Sequence, residues 1–391
     1  MGKHSEERDR RRPPRKDENE TEKQDIYSSR EMEKKAGRKR RKPAFRIAAI
    51  MISVLLVLII GMGVGGFLYF DNILEDLGGN GLDEDKIGVD SSNSENHIKN
   101  IALFGIDSRN NQSVSQDEDG KKLKGLSDTI MVMSVNTKTK QIKLISIMRD
   151  SAVKVDGTYR KINAAYSRGG AELAINTLNT NFGLDITDYA TVNFAGMSEI
   201  IDVVGGVEVE VTQGEIDDRK YGVNAQILEQ AKIVGITPEF VKTPGKQVLD
   251  GNQAVAWARI RKQPTATGER DDYGRTARQR QVLNQLFEKA KKLNVLEYPN
   301  LIEATKTCVE TSLSSGEILT LAKTVILGGT LSDGRIPYDG YTQPGSLVKG
   351  GVHYDLDIAK DMIKQFIYDD KTFAEYDAEL KAANGEGSSV K

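Results

Sequence analysis

Arginine is concentrated in one short stretch of a chain that otherwise prefers lysine. Beyond Phe70 the sequence holds 26 Lys and 12 Arg, yet residues 259–280 contain six of those arginines and a single lysine. A guanidinium group is a rigid planar fork of donors that matches the paired oxygens of a phosphate or carboxylate, and an ammonium group is not. The enrichment predicts an anion-binding site. The alternative left open is a solvated helix whose arginines pair with Glu and Asp on its own surface.

The spacing of these arginines indicates how they could converge. Arg275, Arg278 and Gln279 stand at positions i, i+3 and i+4, and we expect a helix to carry all three on one face. Arg259 and Arg261 are two residues apart, which suits an extended segment better than a helical face. A loop at residues 264–268 would let the two groups meet.

Further charged residues stand at the ends of predicted strands. Short apolar runs predict strands at residues 100–109, 125–136 and 141–148. Asp107 lies at the end of the first, Asp128 at the start of the second, and Arg149 and Asp150 directly after the third. Loops at strand ends are where α/β folds place functional residues. The open alternative is that these are ordinary turn and capping residues.

Cysteine and histidine are too scarce for several kinds of site. Cys308 is the single cysteine, and His97 and His353 are the only histidines beyond Phe70. The chain therefore has no intramolecular disulfide and no cysteine-based zinc site. Any metal ion should be a hard cation held by carboxylates.

The first 70 residues predict a membrane anchor. Met1–Arg46 holds 17 Lys and Arg, 10 Asp and Glu and few apolar residues, so we expect a disordered tail. Ile47–Phe70 is 24 residues without a charge, which as a helix would be about 36 Å long and span a bilayer. The basic run before it predicts a cytoplasmic N-terminus and an extracytoplasmic remainder. A cleaved signal peptide and a nucleic-acid-binding tail are weaker readings of the same residues.

The remaining residues predict one α/β domain. We expect a polar spacer at 71–97, a domain at 98–370 and a C-terminal tail at 371–391. Helices are predicted over 163–182 (regular from Gly170 onward), 250–258 and 275–293, and residues 213–248 read as an insertion with weak periodicity. Alternating strands and helices predict a mixed central sheet flanked by helices, an α-β-α sandwich. The total charge of −2 includes +7 in the first 46 residues, which leaves −9 for the rest. This acidity argues against a nucleic-acid partner.

Eight short motifs, taken in order, resemble the LytR-CpsA-Psr family of membrane-anchored cell-wall enzymes. They are GIDSR, SDT, SIMRD, KINAAYSRGG, NFAG, IDVVGGV, ARIRK and DYGRTARQRQ, and they cover about residues 98–295. Two positions depart from the common pattern. Leu126 stands where many members have Arg before SDT, and Met148 stands where many have Pro.

The resemblance implies a metal-dependent phosphotransferase. Such enzymes move an anionic glycopolymer, either a teichoic acid or a capsular or secondary wall polysaccharide, from an undecaprenyl pyrophosphate carrier to the muramic acid 6-hydroxyl of peptidoglycan. Motif positions match Asp107 and Asp128 to the ligands of Mg²⁺ or Mn²⁺. The implied pyrophosphate-binding residues are Arg109, Arg149, Arg259, Arg261, Arg275, Arg278 and Gln279. The implied catalytic residues are Asp107, Asp128, Arg149, Asp272 and Arg275.

The implied partners are the lipid-linked polymer, peptidoglycan and membrane lipid. A polyprenyl chain would need an apolar groove, for which the candidate residues are Ile175, Leu178, Phe182 and Phe194. The sequence leaves three other functions open: a polyprenyl pyrophosphate phosphatase, a membrane-bound regulator and a non-catalytic scaffold of envelope assembly.

Overall fold

The structure, a computed structural model, describes residues 82–89, 97–106, 127–292, 309–326, 330–345 and 347–383. The predicted cytoplasmic tail and the predicted span Ile47–Phe70 lie outside these residues. Within the described part of the chain, no helix has the length and apolarity needed to cross a membrane.

Ten strands and nine helices follow a short 3-10 turn at Glu84–Lys86 in the described residues. The strands are β1 (Ile98–Ile106), β2 (Ser127–Asn136), β3 (Gln141–Ile147), β4 (Ala152–Val155), β5 (Thr158–Lys161), β6 (Asp188–Asn193), β7 (Val207–Val211), β8 (Gly245–Leu249), β9 (Val309–Thr311) and β10 (Thr330–Ile336). The helices are α1 (Ala164–Phe182), α2 (Phe194–Val203), α3 (Gln213–Asp217), α4 (Val223–Val234), α5 (Gly251–Ala258), α6 (Asp271–Ala290), α7 (Ser315–Ile326), α8 (Leu356–Tyr368) and α9 (Phe373–Ala383).

A six-stranded mixed sheet forms the centre of the domain. Its strand order is β10-β3-β2-β1-β6-β9, in which β1 is antiparallel to β2 and parallel to β6. Alternate side chains of β1 face opposite sides of the sheet. Phe104 packs into the core with α1, α8 and α9, whereas Leu103 lines a cavity closed by α2, α5 and α6. Helices therefore cover both faces, and the predicted mixed sheet with flanking helices is confirmed.

A second core cluster supports the arginine stretch. Trp257 of α5, which is 2% exposed, packs with the β7–β8 hairpin and with Val223 and Ile227 of α4, both 0% exposed. Residues 213–248, predicted as an insertion, contain α3, α4 and most of β8. They supply buried side chains to this core, and the weak periodicity of their sequence reflects short elements that are each only partly buried.

The described fold extends beyond both predicted domain boundaries. Ile87, within the predicted spacer, is fully buried, and its carbonyl accepts a hydrogen bond from Asn179 of α1. The predicted C-terminal tail from residue 371 contains α9, whose Phe373 ring lies 4.8 Å from that of Phe366. In both places a mostly polar segment is held against the domain by a few buried apolar residues. Because these residues are few, the sequence shows little hydrophobic periodicity there.

Two helices also differ from, or refine, the sequence prediction. Helix α6 begins at Asp271, four residues before the predicted start at Arg275. Helix α1 is interrupted at Gly169 and Gly170, the latter with φ 67° and ψ −155°. This left-handed φ is accessible to glycine at little cost, and the expectation of a regular helix from this point onward is confirmed.

Candidate active site

Helix α5 fixes where the arginine stretch begins. Its first turn is closed by a capping box, in which the Asp250 carboxylate accepts from the Gln253 amide and the Gln253 side chain accepts from the Asp250 amide. The helix ends at Ala258, and a turn follows in which the Arg259 and Ile260 amides donate to the Ala256 and Trp257 carbonyls, each at 3.1 Å. Ile260 is fully buried, while Arg259 and Arg261 on either side of it line a polar cavity. Both guanidinium groups therefore reach the same cavity, as predicted, although the segment that carries them is a turn and not the extended segment expected.

A tight turn returns the chain to α6. The Thr265 amide donates to the Glu269 carbonyl at 2.9 Å, and the Glu269 amide donates to the Thr265 hydroxyl at 3.0 Å. Helix α6 then starts so close to this turn that a Cβ added to Gly274 would lie 2.5 Å from the Glu269 carbonyl oxygen. Only glycine fits at that approach, which sets the distance between the turn and Arg275.

Asp272 is the common partner of three arginines. Its carboxylate lies 2.8 Å from Nη2 of Arg261, 3.0 Å from Nη2 of Arg275 and 3.8 Å from Nε of Arg149. Arg149 also forms a short ion pair with Asp128. The structure therefore brings together five residues that are up to 147 positions apart in the chain, from the start of β2 to the first turn of α6.

Burial and the neighbouring charges shift the pKa values of Asp272, Arg275 and Arg149. Burial acts to raise the pKa of Asp272, but Arg275, Arg261 and Arg149 outweigh it and lower that pKa below its ordinary value. Burial lowers the pKa of Arg275 to about 10, against the opposing effect of Asp272. For Arg149 burial is outweighed by Asp128 and Asp272, which raise its pKa.

The polar cavity has a volume of about 250 Å³ and an excess of positive charge. It is lined by Asp128, Arg149, Phe194, Tyr221, Gln226, Arg259, Arg261, Lys262, Arg275 and Gln279. The buried Nε groups of three of these arginines, Arg149, Arg261 and Arg275, have no hydrogen-bond acceptor among the described residues. Five cationic side chains against one carboxylate in the lining give this cavity the capacity to bind an anion.

An apolar cavity of about 260 Å³ adjoins the polar one. Leu103, Met131 and Val192 of the sheet and Val255, Val282 and Leu283 of the helices are among its lining residues. Phe194, Arg259 and Gln279 line both cavities. The Arg259 guanidinium lies 4.8 Å from the centroid of the Phe194 ring and donates to Gln230 at 3.3 Å. This stacked pair forms part of the wall shared by the two cavities.

The residues that line the apolar cavity differ from those expected to line a polyprenyl groove. Of the four candidate residues only Phe194 lines the cavity. Ile175, Leu178 and Phe182 of α1 are buried in the core on the opposite face of the sheet. An amphipathic helix shows in its sequence that one face is buried, but it does not show which face of a sheet it covers.

Of the two predicted metal ligands, only Asp128 lies in the described part of the chain. Its side chain is 23% exposed and lines the polar cavity. Asp107 and Arg109 lie outside the described residues; β1 ends at Ile106, which pairs with Ser127 directly before Asp128. No group of three His, Cys, Asp or Glu that could hold a metal ion occurs among the described residues. The carboxylate of Asp128 is a hard oxygen donor of the type that Mg²⁺ and Mn²⁺ prefer.

Arg278 does not reach the cavity, contrary to the expectation that it would share a face with Arg275 and Gln279. Its side chain is 0% exposed and pairs with the equally buried Glu215, Nη2 to Oε1, at 2.6 Å. It also donates to the carbonyls of Ile260 at 3.1 Å and Gln263 at 2.9 Å. Successive residues of a helix point about 100° apart, so Gln279 faces the cavity while Arg278 turns into the core.

Four residues around this site were not predicted from the sequence. Tyr221, Gln226 and Lys262 line the polar cavity, and Glu215 neutralises Arg278. The capping box Thr212-x-x-Glu215 was readable as a helix start. Its pairing with an arginine 63 positions away is a tertiary contact, for which the sequence carries no local signal.

Comparisons with known proteins agree on one family. The model of the LytR_cpsA_psr family matches residues 75–362. The chain is 30% identical over 319 residues to an Enterococcus faecalis protein named polyisoprenyl-teichoic acid–peptidoglycan teichoic acid transferase TagU, covering 79% of this chain and 91% of that protein. It is 31% identical to the Bacillus subtilis transferase of the same description, TagV, over 70% of this chain and 65% of the relative. The crystal structure of B. subtilis TagV superimposes with a TM-score of 0.51 at 26% identity, covering 71% of this chain and 99% of that one.

Proposed function

Because this chain belongs to the LytR-CpsA-Psr family, we propose that it transfers an anionic glycopolymer from a polyprenyl pyrophosphate carrier to the muramic acid 6-hydroxyl of peptidoglycan. The observation that carries the proposal is that an apolar cavity adjoins an arginine-lined polar cavity, with Phe194, Arg259 and Gln279 in the lining of both. A polyprenyl pyrophosphate has the same two parts, a hydrocarbon chain joined to two charged phosphates. The names of the relatives support a teichoic acid as the polymer.

In the proposed reaction the acceptor hydroxyl oxygen attacks the phosphorus that carries the glycan. The bond from this phosphorus to the bridging oxygen breaks, and the carrier leaves as polyprenyl phosphate with the electron pair. The hydroxyl proton passes to a carboxylate or to water. The protein forms no covalent bond in such a step, so its contribution to catalysis is mainly to position the reactants and to neutralise charge. Arg149, Arg261 and Arg275 are assigned to the phosphate oxygens.

Asp272 is assigned to holding the arginines rather than to taking the proton. Three guanidinium groups within 3.8 Å lower its pKa, and a carboxylate stabilised in this way is a weak base. Its side chain is only 13% exposed. Asp128 is more exposed, at 23%, and is paired with one arginine. Of these two carboxylates Asp128 is the better placed to meet a substrate hydroxyl or a cation.

A divalent cation is part of the proposal. We assign Asp107 and Asp128 as its ligands and Mg²⁺ or Mn²⁺ as its identity, on the oxygen chemistry of the two side chains. When bound, the cation would neutralise charge on the phosphate oxygens. Asp128→Asn is expected to weaken Mn²⁺ binding, measured by electron paramagnetic resonance, by about tenfold or more, because the variant loses an anionic ligand.

The control for the metal experiment is Asp150→Asn. Asp150 pairs with Lys161 at 3.0 Å and does not line the polar cavity, so this variant should bind Mn²⁺ as the wild type does. Wild-type affinity in both Asp107→Asn and Asp128→Asn would refute the assignment of the cation to these carboxylates.

The transferase activity is tested by reconstitution. Purified protein is incubated with a glycosylated polyprenyl pyrophosphate, with and without peptidoglycan, and release of polyprenyl phosphate is followed. We expect release to depend on peptidoglycan. Equal release without it would indicate hydrolysis, the phosphatase alternative, and absence of release in both would favour a binding scaffold.

The proposed location of the domain is the outer face of the cell membrane. The charge-free run Ile47–Phe70 and the basic residues before it motivate a single anchor with a cytoplasmic N-terminus. Protease added to intact protoplasts is then expected to remove the C-terminal domain and to spare the tail. Protection of the domain would overturn this orientation.

A further inference from the structure

Two uncharged side chains in the polar cavity are not needed to bind phosphate. Tyr221 lines the cavity and is still 43% exposed. Gln226, one turn into α4, is half-buried and lines the same cavity. Its side-chain amide forms no hydrogen bond with other described residues. An aromatic face and an amide with both donor and acceptor capacity are therefore available beside the arginines.

The turn that carries Tyr221 is held rigidly against the arginine stretch. One carboxylate oxygen of Asp218 accepts from the amides of Lys220 and Tyr221, each at 2.9 Å. The other accepts from Gln263, two residues after Arg261 in the chain, at 2.7 Å. Gly222 closes the turn, where an added Cβ would lie 2.2 Å from the Glu215 carbonyl oxygen. The Tyr221 backbone is thus tied to the segment that positions the phosphate-binding groups.

The chemistry of this pair suits a sugar ring. A pyranose has a face of C–H groups, which can pack on an aromatic ring, and a rim of hydroxyls, which an amide can bind. Tyrosine offers a large contact area with few rotatable bonds, so ordering it costs little entropy. The ammonium group of Lys220 lies 4.9 Å from the centroid of the Tyr221 ring. It lies over one face of the ring, and Tyr221 as a whole is still 43% exposed.

We propose that Tyr221 and Gln226 form a pyranose subsite beside the pyrophosphate site. The inference rests on the proposed function. In that function a sugar is bonded directly to the phosphate that the arginines bind, so the sugar must lie just outside the arginine-lined part of the cavity. The pyranose can come from two sources, the carrier-linked glycan or the glycan acceptor. Binding of carrier in the absence of acceptor isolates the first source, and the acceptor concentration at half-maximal transfer isolates the second.

The test compares two carriers, a bare polyprenyl pyrophosphate and the same lipid bearing a disaccharide. Tyr221→Ala is expected to weaken binding of the glycosylated carrier by about tenfold and to change binding of the bare carrier by less than about twofold. Tyr221→Phe keeps the ring and should bind both carriers like the wild type. Gln226→Met, which keeps the side-chain length and removes the amide, should weaken only the glycosylated carrier, by about fivefold.

Tyr159 provides a matched control. It is 42% exposed and has the ammonium of Lys154 at 5.8 Å over its ring, but it lies on the β4–β5 hairpin and does not line the cavity. Tyr159→Ala should therefore leave the affinity for both carriers unchanged.

The possible outcomes separate this subsite from the function on which it rests. If Tyr221→Ala raises only the acceptor concentration at half-maximal transfer and leaves carrier binding unchanged, the subsite is supported and the acceptor is the source of its pyranose. Equal affinities of wild type and Tyr221→Ala for the glycosylated carrier, with an unchanged acceptor requirement, would overturn the subsite and leave the pyrophosphate site intact. Failure of the wild type to bind the bare carrier would overturn the proposed function.

Discussion

Replacing Arg275 with lysine is expected to lower carrier affinity and polymer transfer roughly tenfold to a hundredfold. The charge is retained, but the paired donors that match phosphate oxygens are lost. The Arg275 side chain is 6% exposed, and the burial that lowers its pKa to about 10 would act on an ammonium whose ordinary pKa is already about 10.4. Arg261→Lys should also reduce transfer, and less severely, since Arg261 is 40% exposed. Carrier binding and transfer rate are the measurements.

Arg280→Lys is the matched control for this experiment. Arg280 lies on the same helix, is 16% exposed and pairs with Asp333 at 2.8 Å, and it does not line the polar cavity. The Arg280→Lys variant should therefore bind the carrier like the wild type. Wild-type binding and transfer in both Arg275→Lys and Arg261→Lys would contradict the anion-binding site and favour a solvated, charged helix.

Arg278→Met is expected to reduce the free energy of unfolding by about 3–5 kcal/mol, because it leaves a buried carboxylate without its partner. Glu215 is 0% exposed, and its carboxylate also accepts a hydrogen bond from the Thr212 amide at 2.7 Å. Burial lowers the pKa of Arg278, against the opposing effect of Glu215. Urea-induced unfolding at neutral pH measures the loss.

The double variant Arg278→Met with Glu215→Gln serves as the control. Its uncharged amide can still accept from Thr212, so much of the lost stability should return. Carrier affinity, measured where the variants are folded, should fall less for Arg278→Met than for Arg275→Lys. An Arg278→Met protein of wild-type stability that no longer binds the carrier would contradict the structural role and restore the substrate-binding role expected from sequence.

Local spacing predicted the parts of the site that depend on local geometry. Arg259 and Arg261 line one cavity as their spacing suggested, with the buried Ile260 between them in a turn rather than in the extended segment expected. Helical spacing placed Arg275 and Gln279 together, and the loop at 264–268 lets both pairs converge as expected. Strands β1, β2 and β3 were equally readable, because each carried its own apolar run. The short β9 and the largely polar β10, at the two edges of the sheet, were not predicted.

The features that sequence reasoning missed depend on contacts between distant elements. A three-residue spacing is compatible with a shared helical face, but Glu215, 63 positions away, draws Arg278 into the core. The apolar cavity is lined by β1, β2, β6 and three helices on one face of the sheet, whereas the apolar residues of α1 pack on the other. Hydrophobicity identifies residues that will be buried without identifying the neighbours that will bury them.

The central claim is that the arginine cavity directs the carrier's phosphorus to a sugar hydroxyl of peptidoglycan. Its most direct test is a reaction of wild-type protein, glycosylated carrier and peptidoglycan in water enriched in oxygen-18, with the digested products analysed by mass spectrometry. The account predicts muropeptides whose mass has increased by the phosphorylated glycan and which contain no heavy oxygen. A free glycan phosphate carrying heavy oxygen, formed at the same rate with or without peptidoglycan, would contradict it.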